Sequence, residues 1–587
     1  MNRILLLLAT SALLGGASAQ LPHLLAPHER PLIPAYRDSR AGSDRGITTP
    51  PTEPVRTMAE WEEIQSLVIC WAQYDGILKQ IVAAAKDECE VIIVCADQND
   101  VISFLQGSSF GGPLPDLDNI TFVQAPFNSV WMRDYGAESI YTNEVDSLYM
   151  LDWIYNRPRP QDDAVPEVIG TTKGIGVYST TEAPNDLVHT GGNFMSDGAG
   201  TAFSSELVLE DNGPNGEYNQ TVKNEAQIDA IMQAWMGISN YIKMTALPYD
   251  GINHIDMHMK LLDEETLLVG EFPTGVSDGP QLETNIDGIM ANEVSAFGEP
   301  YQLIRIPMPS SSGGAYPPSA SYRTYTNSVF VNGTLIVPTY RTEFDTTGLR
   351  ILQESLPGYR VVGIDCDNSG MNIISASGAI HCITKGIGVS DQLLIRHQRL
   401  RDTYDTQNPY AVDAYIRHKS GIANATLYWT TDTAQAWNTV AMADQGGNTW
   451  SAAIPAQPAL TTLYYYVQAT ANSGKVQVRP IVAPEGWWRF HVLDMSSGLD
   501  AIAGPSILDI FPNPCENHVL LTLDGTLRER VAVRVADMAG RVVRTLYTGT
   551  VPADGRLLID TSALPTGMYA ITVSSRSGEY TARLVKR

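Results

Sequence analysis

Four short stretches of the 587-residue chain carry polar groups where structure alone does not require them. Asn128-Ser129-Val130-Trp131-Met132-Arg133-Asp134-Tyr135-Gly136 sets an Arg-Asp pair beside aromatic residues. Thr190-Gly191-Gly192-Asn193-Phe194-Met195-Ser196-Asp197-Gly198 is a glycine-loosened loop bearing an acid. In Ile252-Asn253-His254-Ile255-Asp256-Met257-His258 a two-residue repeat would turn His254, Asp256 and His258 to one face of a strand. Ser377-Gly378-Ala379-Ile380-His381-Cys382-Ile383-Thr384-Lys385-Gly386 puts a cysteine beside a histidine and among glycines. Singly, each has an ordinary explanation: a surface ion pair, a turn, a strand of satisfied polar groups or metal ligands, a core thiol. Together, a thiol, a histidine and two or more acids suit attack on a carbon bound to cationic nitrogens. A guanidinium is such a group, planar, permanently charged and rich in N–H donors. Paired carboxylates can hold it by charge-assisted hydrogen bonds while a thiolate strikes the central carbon, and the bound cation helps to ionise the thiol.

These residues need a scaffold. Leu67 to Trp71 and Val91 to Cys95 are strand-like apolar runs, with a helix expected from Gly76 to Asp87 between them and another starting near Asn99. Such alternation predicts an α/β domain, assigned to residues 56–400. Residues 20–55, rich in Pro, Arg and Gly, lack periodicity and read as an irregular leader. From Tyr410 the texture becomes all-β, with short alternating runs such as Val412/Ala414/Ile416, which predicts an immunoglobulin-like β-sandwich over residues 405–495. Gly498 to Pro505 reads as a linker, and residues 506–587 as a second small β-sandwich.

The remaining composition narrows the class. Lys+Arg 39 against Asp+Glu 65 gives a net charge of −26, the wrong sign for nucleic acid and compatible with a cationic ligand. Arg3, the apolar run Ile4 to Leu14 and Ala17-Ser18-Ala19 form a secretory signal over residues 1–19. No later run reaches the ~20 apolar residues of a membrane-spanning helix. Six cysteines without a CxxC pair fit neither a disulfide scaffold nor a structural zinc site.

At the polar stretches the chain resembles the guanidino-group-modifying superfamily, whose fold is a five-fold pseudosymmetric α/β propeller, the pentein fold. Within it, the chain is similar to the agmatine deiminase and bacterial peptidylarginine deiminase branch. The resemblance rests on Ala59-Glu60-Trp61-Glu62, Trp131 to Asp134, Gly191 to Gly198, Asn253 to Asp256, Tyr325-Thr326-Asn327-Ser328 and His381-Cys382, between Met58 and Arg396. The intervals 134 to 197, 197 to 256, 256 to 327 and 327 to 382 are 63, 59, 71 and 55 residues, each able to hold one repeat. The resemblance implies Cys382 as nucleophile, Asp134 and Asp256 as the guanidinium clamp, and His254 as proton carrier. Asn327 would orient Cys382 or the guanidinium, Trp131 would wall the pocket, and Asp197 would support the substrate. Ile154 to Asp163 resembles the segment by which the bacterial peptidylarginine deiminase holds the free carboxylate of a C-terminal arginine. Arg157 and Arg159, spaced by one proline, can present donors to such a group. Gly251 departs from the bacterial peptidylarginine deiminase, which has a tyrosine there, so the pocket is open on that side or filled by another residue. Phe511-Pro512-Asn513-Pro514, the Gly567-Met568-Tyr569 strand and the basic Lys586-Arg587 end resemble the sorting domain of the type IX secretion system. That resemblance implies the secretion machinery as a partner and the outer cell surface or medium as destination.

The expectation is an exported peptidylarginine deiminase that converts C-terminal arginine of peptides to citrulline and ammonia through a covalent thiouronium. It requires no cofactor and no metal in the site, and leaves room for a structural calcium or sodium ion. The alternatives are an agmatine or free-arginine deiminase, a non-catalytic cell-surface binding protein, and a metal-dependent hydrolase built on His254 and Asp256.

Overall fold

The structure, a computed structural model, describes residues 21–40, 45–494 and 508–587, apart from 516, 524–529, 538–541, 553–554 and 576–578. The secretory signal and the Gly498 to Pro505 linker lie outside the described residues. The chain divides into two compact units, residues 1–401 with 408–456 and 462–490, and residues 402–407 with 457–461 and 491–587.

In the first unit, strands Ile64–Cys70 and Glu90–Cys95 are apolar and almost entirely buried, the pattern of parallel strands covered on both faces. They pair in parallel across the helix Asp75–Ala85, and Glu90–Cys95 continues in parallel to Ile120–Gln124 after the helix Gln98–Leu105. Lys385–Gly388 joins this sheet antiparallel, on the free side of Ile64–Cys70.

Four further sheets between residues 55 and 365 follow one plan: an antiparallel pair, a helix, and a strand parallel to the second of the pair. Their central strands are Leu148–Tyr155, Thr201–Ser205, Thr266–Glu271 and Thr334–Thr339. The connecting helices include Val165–Lys173, Glu225–Met236, Gly279–Asn292 and Thr342–Ser355. Their ends are written into the sequence. Asn224 and Gln227 form a reciprocal capping box on Glu225–Met236, and Gly237 ends that helix at φ 70°.

Two differences from the sequence reading concern boundaries. Leu393–Arg396, expected at the end of the α/β domain, pairs instead with Tyr410–His418 of the next module. Four apolar residues carry no period by which to choose a sheet. The leader is not irregular throughout: Ile33–Arg40 is a helix, with Ile33, Tyr36 and Arg40 buried. Arg40 occupies a core position because Asp163, 2.7 Å away, and Asp152 compensate its charge.

Beyond Gly388, the first unit holds two antiparallel sheets, one built on Tyr410–His418 and one on Thr461–Ala471. Tyr410–His418 buries every second residue, as expected of a half-covered strand. The second unit carries a three-stranded sheet centred on His518–Leu523 and a four-stranded sheet of Arg530–Asp537, Val542–Thr550, Gly567–Ser574 and Glu579–Lys586. Its core includes Val519, Leu521, Val533, Ile571 and Val573, at alternate positions of their strands. All six cysteines are unpaired and buried.

Candidate active site

The site is assembled from five short lead-in segments, each just ahead of a strand that pairs antiparallel with the next strand of its sheet. Trp131 and the helix Met132–Tyr135 precede Glu138–Thr142, and the turn Gly191–Asn193 precedes Met195–Ser196. Ile255–Met257 precedes Met259–Asp263, Asn327 precedes Val329–Val331, and His381–Ile383 precedes Lys385–Gly388. The segments touch in a ring. A Cβ on Gly191 would lie 2.1 Å from Arg133 O, and one on Gly192 would lie 2.5 Å from His254 Nδ1. Thr326 Oγ1 donates to Asp256 O at 3.0 Å, His381 N to Asn327 O at 3.1 Å, and Arg133 Nε to His381 O at 3.3 Å.

Asp134, Asp256, His254, Asn327 and Cys382 meet around Gly192, all at most 2% exposed. A Cβ on Gly192 would stand 3.1 Å from Asp134 Oδ1 and 3.3 Å from Asp256 Oδ2. Cys382 Sγ is 3.6 Å from Asp256 Oδ2 and receives a hydrogen bond from Asn327 Nδ2 at 3.2 Å. Asn327 is itself fixed, its Oδ1 accepting from His381 N at 3.0 Å. Burial pushes the Cys382 thiol well above its ordinary value, with Asp256 and Asp134 adding to the effect and the Asn327 bond opposing it. Burial also lowers His254 to about 4 against the pull of Asp134, and neither ring nitrogen has a hydrogen-bond partner among the described residues. Burial would raise the Asp134 carboxyl, but His23 and His254 hold it well below the carboxylate range.

The leader enters this cavity. The His23 ring is fully buried and stacks on Trp131, with centroids 4.3 Å apart and planes 8° from parallel. Its Nε2 donates to Asp134 Oδ2, and its Nδ1 to Ser377 O at 2.7 Å. Both nitrogens face acceptors, so the flat ring fills the place a planar cation would take. Arg157 Nε donates to His23 O at 3.1 Å. Arg159 grips the Glu29 carboxylate through two hydrogen bonds, 2.7 and 3.0 Å, and donates to Pro22 O at 2.8 Å. Gly251 faces this segment too, since a Cβ there would lie 3.0 Å from Leu24 Cδ2.

Two readings from the sequence are altered. His254, Asp256 and His258 do not share a strand face, because Ile255–Met257 is a 3-10 turn that separates them. Asp197 lies in the turn between Met195–Ser196 and Thr201–Ser205, where its Oδ1 caps the amides of Ala199 and Thr201 at 2.7 and 2.9 Å. The position equivalent to the other lead-ins is filled by Gly192 and Asn193. His23, Asp134 and His254 offer donor atoms within 4.8 Å of one another, as a metal site would. Direct contact between His23 Nε2 and Asp134 Oδ2 leaves no room for an ion between that pair.

Sequence reasoning assigned no role to Glu60 or His381, which back the site. His381 Nδ1 donates to Asp256 Oδ2 at 2.7 Å and its Nε2 to Glu60 Oε1 at 2.6 Å. Glu60 also pairs with Arg133 at 2.8 Å and with Lys260. Burial would raise the Glu60 carboxyl, but His381, Lys260 and Arg133 hold it well below the usual range. Both residues stood inside the motifs quoted from the sequence. The missing signal was that they meet across more than 300 positions.

The family profile that covers this domain is that of a deiminase. The profile of the Porphyromonas-type peptidyl-arginine deiminase family matches residues 56–387, and the chain belongs to that family, whose chemistry is hydrolysis of guanidino groups. The profile of the secretion system C-terminal sorting domain matches residues 509–587, so that domain is also present. A provisionally named agmatine deiminase of Vibrio parahaemolyticus is 24% identical over 374 residues, covering 58% of this chain and 98% of its own. Among solved structures, a provisionally named arginine deiminase of Porphyromonas gingivalis is 22% identical, covering 57% of this chain and 98% of its own, with a TM-score of 0.48. A provisionally named agmatine deiminase is 19% identical, covering 59% and 99%, with a TM-score of 0.50. Among the described residues no helix is long and apolar enough to cross a membrane.

Proposed function

We propose that the protein is an exported peptidylarginine deiminase acting on C-terminal arginine of peptides. The observation that carries the reading is the convergence of Asp134, Asp256, His254 and Cys382 on one buried point beside Gly192. A guanidinium held between the two carboxylates supplies the charge compensation that a buried cation demands. Its arrival also offsets the acids that burden the Cys382 thiol, so the thiolate forms when substrate is present. The thiol proton passes to His254. Sγ then bonds to the guanidinium carbon, His254 returns the proton to one nitrogen, and the C–N bond breaks to release ammonia. A water molecule, giving one proton to His254, attacks the resulting thiouronium, the C–S bond breaks to leave citrulline and the free thiol, and the His254 proton departs with the ammonia as ammonium. Asn327 holds Sγ in line, and the sequence of steps needs no cofactor.

Specificity for a free carboxylate is supported by Arg159, whose guanidinium already binds a carboxylate in two-pronged geometry. The reading takes the five sheets as blades of a five-fold propeller, supported by the ring of lead-in contacts. It takes the two sheets after Gly388 as an immunoglobulin-like sandwich. Export to the cell surface or medium is inferred from the sorting domain. The test is citrulline formation, read as a unit-mass gain, on a peptide ending in arginine, on the same peptide with arginine internal, and on agmatine. Equal rates on the first two would remove the carboxylate argument, and a preference for agmatine would transfer the reading to an agmatine deiminase. Cys382→Ala should abolish turnover while leaving peptide binding, and an active variant would end the mechanism.

A further inference from the structure

We infer that residues 21–29 are a built-in peptide ligand of the active site, and that the chain is latent until this segment leaves. The inference rests on the function proposed above and adds its regulation. Residues 21–29 bring to the site the two groups by which a C-terminal arginine would be recognised. In the place of the planar cation is the His23 ring, stacked on Trp131 and paired with Asp134. The carboxylate is Glu29, 3% exposed and clamped by Arg159. Between and around them the main chain is bonded as a peptide ligand would be. Trp131 Nε1 donates to Leu21 O at 3.2 Å, Arg157 to His23 O, Arg159 to Pro22 O, and His23 N donates to Ala376 O at 3.3 Å. Gly378 makes room for the stack, since a Cβ there would lie 2.4 Å from the Trp131 ring and 3.1 Å from His23 Nδ1. Leu24 covers Gly251, the position at which the sequence left a gap.

The segment is also tethered in place. Ile33 and Tyr36 pack with Ile154, Val188 and Tyr218, Tyr36 Oη donates to Tyr155 O at 3.1 Å, and Arg40 pairs with Asp163. A ligand tethered this closely acts at an effective concentration on the order of millimolar, so a dilute peptide competes poorly for the same groups. While Asp134 is engaged by His23 and Trp131 is covered, no guanidinium can reach Cys382, so turnover in the full chain is confined to the fraction of time the segment is away.

The experiment uses the full chain, its His23→Ala/Glu29→Gln variant, and a chain lacking residues 21–40. Alkylation of Cys382 by iodoacetamide, mapped by mass spectrometry, is followed beside citrulline release from an arginine-terminated peptide. The expected result is Cys382 labelling and turnover about tenfold or more faster in both altered chains. A synthetic peptide of residues 21–32, added to the shortened chain, should slow both again. Should deletion spoil folding, the double substitution decides alone. Equal Cys382 labelling and equal turnover in parent and double variant would overturn the inference. Faster labelling with no citrulline from any chain would uphold occupancy by the leader and sink the proposed reaction instead.

Discussion

Gly192 has no side chain, and the centre of the site is built around that lack. Any Cβ there would press on His254 at 2.5 Å and crowd both acids. Gly192→Ala should therefore lower turnover about 100-fold while the melting temperature changes little, because a displacement near 1 Å at the reacting groups is enough for that loss. Activity and thermal melts of the same preparation check it, and full activity in that variant would contradict the packing described. His381 acts through Asp256 and Glu60, each held by one of its ring nitrogens. His381→Asn should reduce kcat about tenfold, equal to ~1.4 kcal/mol of barrier, and move the pH profile, with KM for the peptide affected less. An unchanged pH profile would confine His381 to a structural part. At this scale the sequence was informative where chemistry is local. Cys382, His254, Asp134 and Asp256 could be picked out because their neighbours made poor sense as structure. Asp197 and His23 could not be sorted in that way. An acid after Gly-Gly-Asn looks the same whether it faces a site or caps its own turn, and a histidine among leader prolines shows no period.

The first two strands of the α/β domain announced themselves as apolar runs with a helix between them, so the start of the alternation was legible. The capping box on Glu225–Met236 is a structural finding, and Asn224→Ala should cost about 1 kcal/mol of stability with activity intact. Denaturant melts measured by tryptophan fluorescence suit this test, because all ten tryptophans fall at or before Trp488, inside the first unit. A loss below about 0.3 kcal/mol would mean the box is redundant with tertiary packing. What the sequence hid were the short turns that carry the chemistry. Gly191–Asn193, Ile255–Met257 and His381–Ile383 span three residues each, too few for a periodic signal. The leader helix Ile33–Arg40 was hidden for another reason. One of its three buried positions is an arginine, and only the distant carboxylates make that placement tolerable.

Across the whole first unit, burial leaves several groups in their neutral forms. His258 and His397 are lowered to about 4 by burial, as His254 is, while burial raises Asp162 and Asp250 to about 7. The two sets act oppositely. A histidine lowered from ~6.5 contributes stability that is complete above that pH and is lost as pH falls toward 4. An aspartate raised to about 7 contributes stability that is complete below ~4 and is lost as pH rises toward 7. The parent curve should consequently be flatter than either set alone would give. His258 is one of these groups, and neither of its ring nitrogens has a hydrogen-bond partner among the described residues. In His258→Phe the stability relative to the parent should be higher at pH 5 than at pH 8 by about 2 kcal/mol. Urea melts at the two pH values measure it, and an offset that does not depend on pH would refute the assignment.

The six cysteine sulfurs stand apart, none bonded to another. Neither unit owes its persistence to a covalent staple, so dithiothreitol has nothing to unlock and melting curves with and without it should coincide. Oxidants bear on the molecule differently. They can consume the nucleophile by carrying Cys382 toward sulfenic and sulfinic acid once its cavity opens, while the scaffold around it stays whole. With the leader gone, ageing in air would thus silence the chain before it unfolded it.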